Sequence, residues 1–467
     1  MNLIVEAPAS YRAERHYIIE VLLSDFLGLE FEVSLSDRSN TRMSAGGGAE
    51  VLVCEHLFAT QTSDWLKPSS LPRLPVDTLD VSKEPIDVVM TQAKIPVIYG
   101  QRLETGRFVD VGDKRVKLGV DIFGSSFFML TRYEELVMAY RDPHDRFPAS
   151  ASIACQEGFL TRPIVNEYLE ILWTCLGRLW PRLSRRPRKF SVFITHDVDH
   201  PLAVLGESWP SAVRASARDL VRRHNPSLAL RRLYARAIPH RYDIDPYNTF
   251  DFLMSQSEDR NLRSAFFFMS GRTNPAFDGC YSLDMPWIRK LLRTVADRGH
   301  EVGLHASYDA ALKDGQATKE LAKLKQAAAL AGVVRDSWGG RQHYLRWQAT
   351  TTWQLWDDAG LAYDSTLGFA DHVGFRCGTC YEYPAFNLAT RCALRLRERP
   401  LVVMDCSLLE SRYMGLSYQE ALAMARDLAA ACKTHAGEFT LLWHNSYFPR
   451  PTDKRFYCEL LDTICQS

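Results

Sequence analysis

The second half of the chain alternates between two patterns of apolar positions. Continuous apolar runs that end in polar residues predict buried strands at "FSVFITHDVD" (190–199), "SAFFFMSG" (264–271), "HEVGLH" (300–305) and "EFTLLWH" (438–444). Apolar residues at helical spacing predict helices at 249–262, 285–299, 311–332 and 421–437, the last three ending at Gly299, Gly332 and Gly437. Strands that alternate with helices predict a parallel sheet or a β/α barrel.

The first half predicts a separate α/β unit. Short apolar runs predict strands at "NLIVEA" (2–7), "EVLVCEHLF" (50–58) and "IPVIYG" (95–100), a hairpin within 106–124 and a helix at 163–180. The Pro- and Arg-rich stretch "PRLSRRPRKF" (181–190) is typical of a linker. Because 467 residues exceed one ordinary core, we expect an N-terminal domain at 1–188 and a C-terminal domain at 189–467.

A basic segment interrupts the alternation at about 201–249. Arg214, Arg218 and Arg222 recur every four residues, which places them on one face of a predicted helix. Two interpretations remain open for this face. It is either a solvated surface or a patch for an anionic group, such as phosphate on a carrier or a nucleotide.

Bulk composition narrows the class of protein. The formal net charge is zero, so no global field for nucleic acid is indicated. The first residues lack the basic and apolar regions of a secretory signal, and no apolar run approaches the roughly 18–20 residues of a membrane span. We therefore expect a cytoplasmic protein whose eleven cysteines stay reduced, including the close pair Cys377 and Cys380.

Polar side chains follow several of the predicted strands. Asp197 and Asp199 are two apart, so they share a face of their strand, and His305 and His444 end two others. In β/α folds the carboxyl ends of the strands usually carry the chemistry. Two neighbouring carboxylates require a cation or a shared proton, and carboxylate with imidazole suits zinc, cobalt, nickel or iron. A purely structural hydrogen-bonded cluster is the alternative. Asp309, four residues after His305, is either a further ligand or a helix-start residue.

Five stretches in this order resemble the motifs of the polysaccharide deacetylases of carbohydrate esterase family 4, which have a distorted β/α barrel. They are "THDVD", "HASYD", "GGRQHYLRW", "YDSTLGFADHVGFR" and "LLWHNSYF". The chain is more narrowly similar to the divergent branch found with surface-polysaccharide gene clusters, whose members carry an N-terminal domain of unknown role. "DIFGSSFFMLTRYEEL" (121–136) and "GFLTRPIVNEYLEIL" (158–172) resemble that domain.

The resemblance implies a role for the catalytic and metal-binding residues. It makes Asp197 the general base, Arg341 the residue that orients it, and His444 the general acid. It makes Asp199 and His305 metal ligands, with zinc the expected ion. The family's second metal-binding histidine is replaced, and Asp309 stands in its place; His343 stands where the family usually has proline.

The resemblance also implies substrate-binding residues, for which the candidates are Tyr344, Asp364, Arg376 and Trp443, although the tryptophan of the family's fourth motif is absent. The implied activity is metal-dependent removal of an N-acetyl group from an acetamido sugar or saccharide precursor, with a phosphate-linked substrate meeting the basic segment. Two alternatives remain: a hydrolase of another C–N bond, such as a cyclic amide, and a non-catalytic saccharide-binding protein with a degenerate metal site.

Overall fold

The N-terminal half contains a six-stranded mixed sheet and a separate two-stranded one. A computed structural model describes residues 2–88, 90–205, 208–221, 225–238, 241–448 and 450–466. The first eight strands are β1 (Leu3–Pro8), β2 (Phe31–Ser36), β3 (Thr41–Ser44), β4 (Glu50–Val53), β5 (Asp77–Asp80), β6 (Lys94–Val97), β7 (Val109–Val111) and β8 (Arg115–Leu118). The larger sheet has the order β2-β1-β3-β4-β8-β7, and β5 pairs with β6.

Five α-helices accompany these strands in the described residues. They are α1 (Arg12–Ile19), which a π-helical stretch continues over Glu20–Phe26, α2 (Ile122–Leu130), α3 (Tyr133–Val137), α4 (Ile153–Gln156) and α5 (Ile164–Leu179). The predicted hairpin is present as β7 and β8, but "DIFG" at its predicted end begins α2 instead. The Asp121 carboxylate accepts a hydrogen bond from Gly124 N at 2.7 Å, and this N-cap starts the helix there.

The C-terminal half forms one curled nine-stranded sheet. Its strands are β9 (Ser191–Val198), β10 (Ser264–Met269), β11 (Glu301–Ala306), β12 (Gly339–Gln342), β13 (Tyr363–Asp364), β14 (Tyr383–Asn387), β15 (Cys392–Glu398), β16 (Val403–Met404) and β17 (Glu438–Leu442). The order is β14-β15-β13-β12-β11-β10-β9-β17-β16, and every neighbouring pair except β14 with β15 is parallel. The predicted fold class, a distorted β/α barrel after a smaller α/β unit, is confirmed.

Nine further helices connect these strands or follow them in the described residues. They are α6 (Trp209–Val221), α7 (Pro226–Ala237), α8 (Phe250–Glu258), α9 (Pro286–Asp297), α10 (Gln316–Leu330), α11 (Thr352–Asp358), α12 (Asp405–Leu409), α13 (Tyr418–Thr434) and α14 (Pro451–Gln466). The helix predicted from residue 311 begins only at Gln316. Gly315 precedes it with a φ of 63°, a left-handed conformation that separates α10 from the short 3₁₀ turn before it.

Parallel pairing brings the predicted polar strand ends to one edge of the sheet. Asp197 pairs with Phe267 on β10, and His305 pairs with Arg341 on β12. Leu442, two residues before His444, pairs with Thr195 on β9. The carboxyl ends of β9, β11, β12 and β17 are therefore neighbours, and this edge carries the candidate site.

The two halves share a continuous apolar core and buried polar contacts. Glu135 from α3 lies between Arg132 and Arg376, and all three side chains are almost fully buried. The hydroxyl of Tyr383 donates to Leu130 O at 2.9 Å. The domain boundary near residue 188 stays a prediction. None of the helices in the described part of the chain has the length and apolar character of a membrane span.

Candidate metal centre and cleft

Three side chains from neighbouring strand ends converge at the sheet edge. His305 Nε2 lies 3.0 Å from Asp199 Oδ1, and His343 Nε2 lies 3.4 Å from the same oxygen. Asp199 follows β9, His305 is on β11, and His343 follows β12 directly. Both histidines are buried and Asp199 is only partly exposed, so the three groups meet at the floor of a cleft.

Hydrogen bonds on the far side of each imidazole define which nitrogen carries the proton. His305 Nδ1 lies 2.9 Å from Arg341 O, which only accepts, so Nδ1 must be the donor. His343 Nδ1 lies 2.9 Å from Asp278 Oδ1, another acceptor. In a neutral ring each Nε2 then presents a lone pair toward Asp199. His305 Nε2 and Asp199 Oδ1 are both buried without a hydrogen-bond partner among the described residues.

A divalent cation fits this arrangement of facing lone pairs. Two ligand atoms that bind one ion at roughly 2.0–2.2 Å lie about 3–3.5 Å apart, which matches the two separations found here. A carboxylate or a backbone carbonyl behind each histidine is the usual support for a ligating imidazole. Asp199, His305 and His343 are therefore the residues that would hold the ion.

Electrostatics keep Asp199 ionised at this position. Burial raises the pKa of its carboxyl group, but His343, His305 and His444 outweigh burial and hold that pKa well below the usual range. Burial lowers the pKa of His343, which favours the neutral form of its imidazole. Burial also acts on His305, but Asp197 and Asp199 outweigh it and raise the pKa of that imidazole, so a bound cation would replace a proton there.

Asp197 occupies the wall next to this cluster and is held by Arg341. The guanidinium donates from Nη1 to Asp197 Oδ1 at 2.9 Å. Arg341 is itself fully buried and donates from Nε to Ser365 O and from Nη2 to Ser365 Oγ. This fixed cation orients one oxygen of Asp197, and the other oxygen lies 3.8 Å from His305 Nε2. The predicted pairing of Asp197 with Arg341 is thus present in the geometry.

His444 also lines the cleft and has its own carboxylate support. Its Nδ1 is 2.9 Å from Asp405 Oδ1, and its backbone N–H donates to Asp405 Oδ2 at 2.6 Å. His444 Nε2 faces the floor, 3.6 Å from Asp199 Oδ2. Burial lowers the pKa of His444, but Asp405 outweighs it and raises that pKa well above the ordinary value, so the ring is held protonated.

The structure does not bring Asp309 into the cluster. Strand β11 ends at Ala306, and a 3₁₀ turn over Tyr308–Ala311 follows, so a spacing of four residues no longer returns to the side of His305. The Asp309 carboxylate instead pairs with Arg346 at 3.3 Å and is 44% exposed. His343, from the next strand, occupies the place that the sequence assigned to Asp309.

Only one of the four candidate substrate-binding residues lines the cleft. Tyr344 does so, whereas the other three are buried elsewhere. Asp364 lies behind the site beside Glu398 of β15. Arg376 is bound by Glu135, and Trp443 packs in the aromatic core against Tyr457. These three side chains are therefore placed to support the fold and not to contact a substrate.

Other polar side chains near the site or noted in the sequence divide between the core and the surface. His196 is fully buried, contacts Trp443 O through Nδ1 at 2.7 Å, and has a pKa lowered to about 4 by burial. His200 is exposed and lines the cleft. Cys377 and Cys380 are buried free thiols. Arg214 and Arg218 are exposed on α6, and Arg222 lies outside the described residues.

The third imidazole of the cluster and the two carboxylates that support His343 and His444 were missed from sequence. His343 was noted only as a departure from a proline, although a histidine two residues after Arg341 on the same strand end is itself a signal for a ligand. Asp278 and Asp405 lie in segments without a recognisable pattern, and only their contacts with His343 and His444 identify them.

The cleft has a volume of about 170 Å³, and its rim includes a side chain from the N-terminal half. Arg146 lines it and donates from Nη1 to Tyr344 O at 3.0 Å. Tyr344 and Leu345 have φ values of 61° and 54°, a left-handed conformation that non-glycine residues rarely adopt. Arg146 thus holds the strained turn that follows His343.

Comparison with known proteins assigns no activity to the chain. Residues 3–181 match a family of unknown function (DUF7033), and no curated protein matches. A putative polysaccharide deacetylase from Mycobacterium smegmatis is 19% identical with a TM-score of 0.38, covering 60% of this chain and 85% of its own.

Two further solved structures are similar at the same low level. A probable polysaccharide deacetylase from Pseudomonas aeruginosa PAO1 is 12% identical with a TM-score of 0.35, over 62% of this chain and 89% of its own. The Puue allantoinase is 11% identical, also with a TM-score of 0.35, over 59% and 87%. Similarities of this size do not identify an activity, which has to be argued from the site.

Proposed function

We propose that the protein is a metal-dependent hydrolase that removes an N-acetyl group from an acetamido sugar or a saccharide precursor. The observation that carries the proposal is the convergence of the Asp199, His305 and His343 lone pairs in a cleft that Asp197 and His444 also line. Arg341 binds Asp197, and Asp405 binds His444. A bound divalent ion, with zinc expected, would supply Lewis-acid chemistry at the floor of the cleft.

Asp197 and His444 carry out separate proton transfers. The Asp197 carboxylate accepts a proton from the attacking water, and Arg341 keeps the free oxygen of that carboxylate directed at the cleft. His444, held protonated by Asp405, donates a proton from Nε2 to the leaving amine. Asp197 is thus the proton acceptor and His444 the proton donor that hydrolysis of an amide requires.

The position of His343 weighs against the alternative of a non-catalytic binding protein with a degenerate metal site. The strongest argument for that alternative was the replacement of the family's second metal-binding histidine by Asp309. With His343 in place, the site again offers two imidazoles and one carboxylate, a donor set that suits zinc.

Acetate release tests the proposal. Purified protein with its metal content measured would be assayed on N-acetylated nucleotide sugars, free acetamido sugars and lipid-linked saccharides, with a cyclic amide as a separate substrate. We expect acetate from at least one sugar, lost after chelation and restored by zinc. Ring opening of the cyclic amide without acetate release would replace this activity with the other hydrolase class. A metal-loaded protein that hydrolyses none of these would identify a binding protein.

A further inference from the structure

A helical hairpin of unusual surface composition is inserted between β9 and α8. It consists of α6 and α7, which pack against each other, and the guanidinium of Arg236 on α7 lies 5.2 Å from the ring centroid of Trp209 on α6. Six of the fourteen large hydrophobic side chains that are exposed in the described residues belong to it: Trp209, Val213, Leu220, Val221, Leu230 and Tyr234. The six residues are here called the apolar stripe.

Five of the six residues of the apolar stripe follow helical periodicity, whereas Val221, directly after Leu220, lies about 100° further round α6. Trp209, Val213 and Leu220 are separated by four and seven residues, which places them one above another on α6. Leu230 and Tyr234 have the same relation on α7. On α6 these residues border the packed face, which Ala212, Ser216 and Asp219 form, whereas on α7 they lie opposite the packed face. Each helix therefore leaves large apolar side chains open to solvent in the described chain, beside the packed face on α6 and opposite it on α7.

The charges that flank the apolar stripe have one sign. Arg214 and Arg218 are exposed on α6, and Arg231 is exposed on α7. The only acidic residue in the described part of the hairpin, Asp219, is buried and accepts from Arg232 Nε at 3.0 Å. A helix with an arginine-rich side next to a Trp- and Leu-bearing side is typical of segments that lie in the plane of a bilayer surface.

The base of the hairpin is fixed next to the cleft. Asp245, after α7, accepts from Ala203 N at 2.8 Å before α6, which ties the two ends together. Asn445, adjacent to His444, donates from Nδ2 to His200 O at 3.0 Å and to Tyr247 O at 2.9 Å. His200 lines the cleft, so the hairpin begins at its rim.

We propose that the α6–α7 hairpin docks on the surface of an anionic lipid bilayer, with its arginines at the lipid phosphates and the apolar stripe in the headgroup region. Docking itself is independent of the proposed function, but one further step rests on it: a cleft held at the bilayer surface binds the sugar of a lipid-linked saccharide. A second copy of the chain is a poorer occupant, because pairing two identical faces would bring like-charged arginines together. Nucleic acid offers no partner for the aliphatic side chains.

Vesicle co-sedimentation of the full chain tests the docking without any substrate. The vesicles would contain phosphatidylcholine alone or with about a third phosphatidylglycerol, at low and high salt. We expect binding to the anionic vesicles that weakens with salt. Substitution of Arg214, Arg218 and Arg231 by Gln should lower the partition coefficient at least about tenfold, because each basic residue near an anionic surface contributes on the order of a factor of five. L220S/V221S/L230S should lower it similarly.

Matched controls carry the same substitutions at exposed positions elsewhere: R293Q/R395Q/R426Q for charge and L330S/V334S for apolar surface. Equal binding by hairpin and control variants, or no wild-type binding to anionic vesicles, would overturn the docking. A wild-type dimer in lipid-free solution that L220S/V221S/L230S converts to a monomer would also overturn it, in favour of a second copy.

The same variants separate this inference from the proposed activity. Hairpin variants should deacetylate a soluble acetamido sugar like the wild type and lose rate only on a vesicle-borne lipid-linked saccharide. Asp197→Asn should bind vesicles like the wild type. If the hairpin variants release acetate at the wild-type rate from both the soluble and the vesicle-borne substrate, the step that places a lipid-linked saccharide in the cleft is wrong. Vesicle binding without acetate release from any sugar would remove the proposed function and leave the docking intact.

Discussion

Two pairs of acidic residues lie at strand ends of the same sheet. In the first pair the pKa of one carboxyl group is lowered, and in the second pair both pKa values are raised. Asp197 and Asp199 lie at the end of β9, and Asp364 on β13 pairs in register with Glu398 on β15. Around the first pair are Arg341 and three imidazoles, and the pKa of Asp199 is held well below its usual range. Around the second, burial raises the pKa of Asp364 to about 7 and that of Glu398 well above its ordinary value.

The difference lies in the neighbours and not in the carboxylates. Glu398 accepts only from neutral donors, Trp353 Nε1 at 3.1 Å and Leu367 N at 3.0 Å, and Asp364 accepts from the hydroxyl of Thr366. Because no cation in the described residues contacts this second pair, we expect its two carboxyl groups to share a proton. In this sheet, the adjacent carboxylates that form a candidate metal site are those on which imidazole lone pairs converge.

Removing a ligand of the first pair should have the largest effect. Asp199→Ala and His305→Ala proteins should lose bound metal and fall to background acetate release, since each removes a central donor from the cluster. Metal content by elemental analysis, with circular dichroism to confirm folding, checks this. Asp364→Ala at the second pair is the matched control and should keep its metal. Full metal occupancy in both ligand variants would remove the site assignment.

Changing the base or the acid should cost less and spare the metal. Asp197→Asn and His444→Gln should lower kcat by roughly 10²–10⁴-fold, the usual range for a general base or acid. Both proteins should keep their melting temperature and metal content, because the ligands lie elsewhere. His435→Gln, a buried histidine remote from the cleft floor, is the control for His444. Two folded, metal-loaded and fully active variants would contradict the proton transfers proposed here.

His343 and Asp309 provide a direct test of the third ligand. His343→Ala should weaken metal affinity by more than about tenfold, at least the effect of losing an outer-sphere partner. Asp309→Ala should leave metal affinity unchanged, because its carboxylate is bound by Arg346 at the surface. Competition with a chromogenic chelator measures both. Weaker binding in Asp309→Ala with normal binding in His343→Ala would restore the ligand set expected from sequence.

The sequence predicted the part of the site that follows strongly apolar strands. Asp197, Asp199, His305 and His444 each end a run that is recognisable as a buried strand, and parallel pairing then brings such ends together. The strand before His343 gives no such signal, because it reads "GGRQ". Both glycines are required by packing: a Cβ at Gly340 would lie 1.9 Å from Leu304 O, and one at Gly339 would lie 2.0 Å from the Tyr363 ring.

Local sequence patterns do not predict contacts between segments that are distant along the chain. Asp364 and Arg376 were predicted to line the substrate groove because of their motif. Asp364 is instead buried beside Glu398 and Arg376 beside Glu135, and these partners come from other segments of the chain. For the same reason, Arg146 was not identified as a residue of the cleft, since it lies almost two hundred positions before its partner Tyr344.

The smallest expected effect belongs to the second pair and concerns stability against pH. A carboxyl group whose pKa is raised on folding binds more protons in the folded state than in the unfolded state between the two pKa values. For Asp364 that window runs from 3.8 to about 7. The stability that the shared proton contributes is fully present below the window and is lost as pH rises through it, so the free energy of unfolding should fall toward neutral pH.

In Asp364→Asn the side-chain amide takes the place of the protonated carboxyl group, and an amide does not titrate. The melting temperature of this variant should therefore decline less than that of the wild type between about pH 4.5 and 7, whereas Asp336→Asn, at an exposed position, should follow the wild type. Thermal unfolding across this range, with acetate release measured in parallel, makes the test. Parallel curves for Asp364→Asn and the wild type would mean that the second pair shares no proton, and the contrast with Asp197 and Asp199 would then rest on the metal alone.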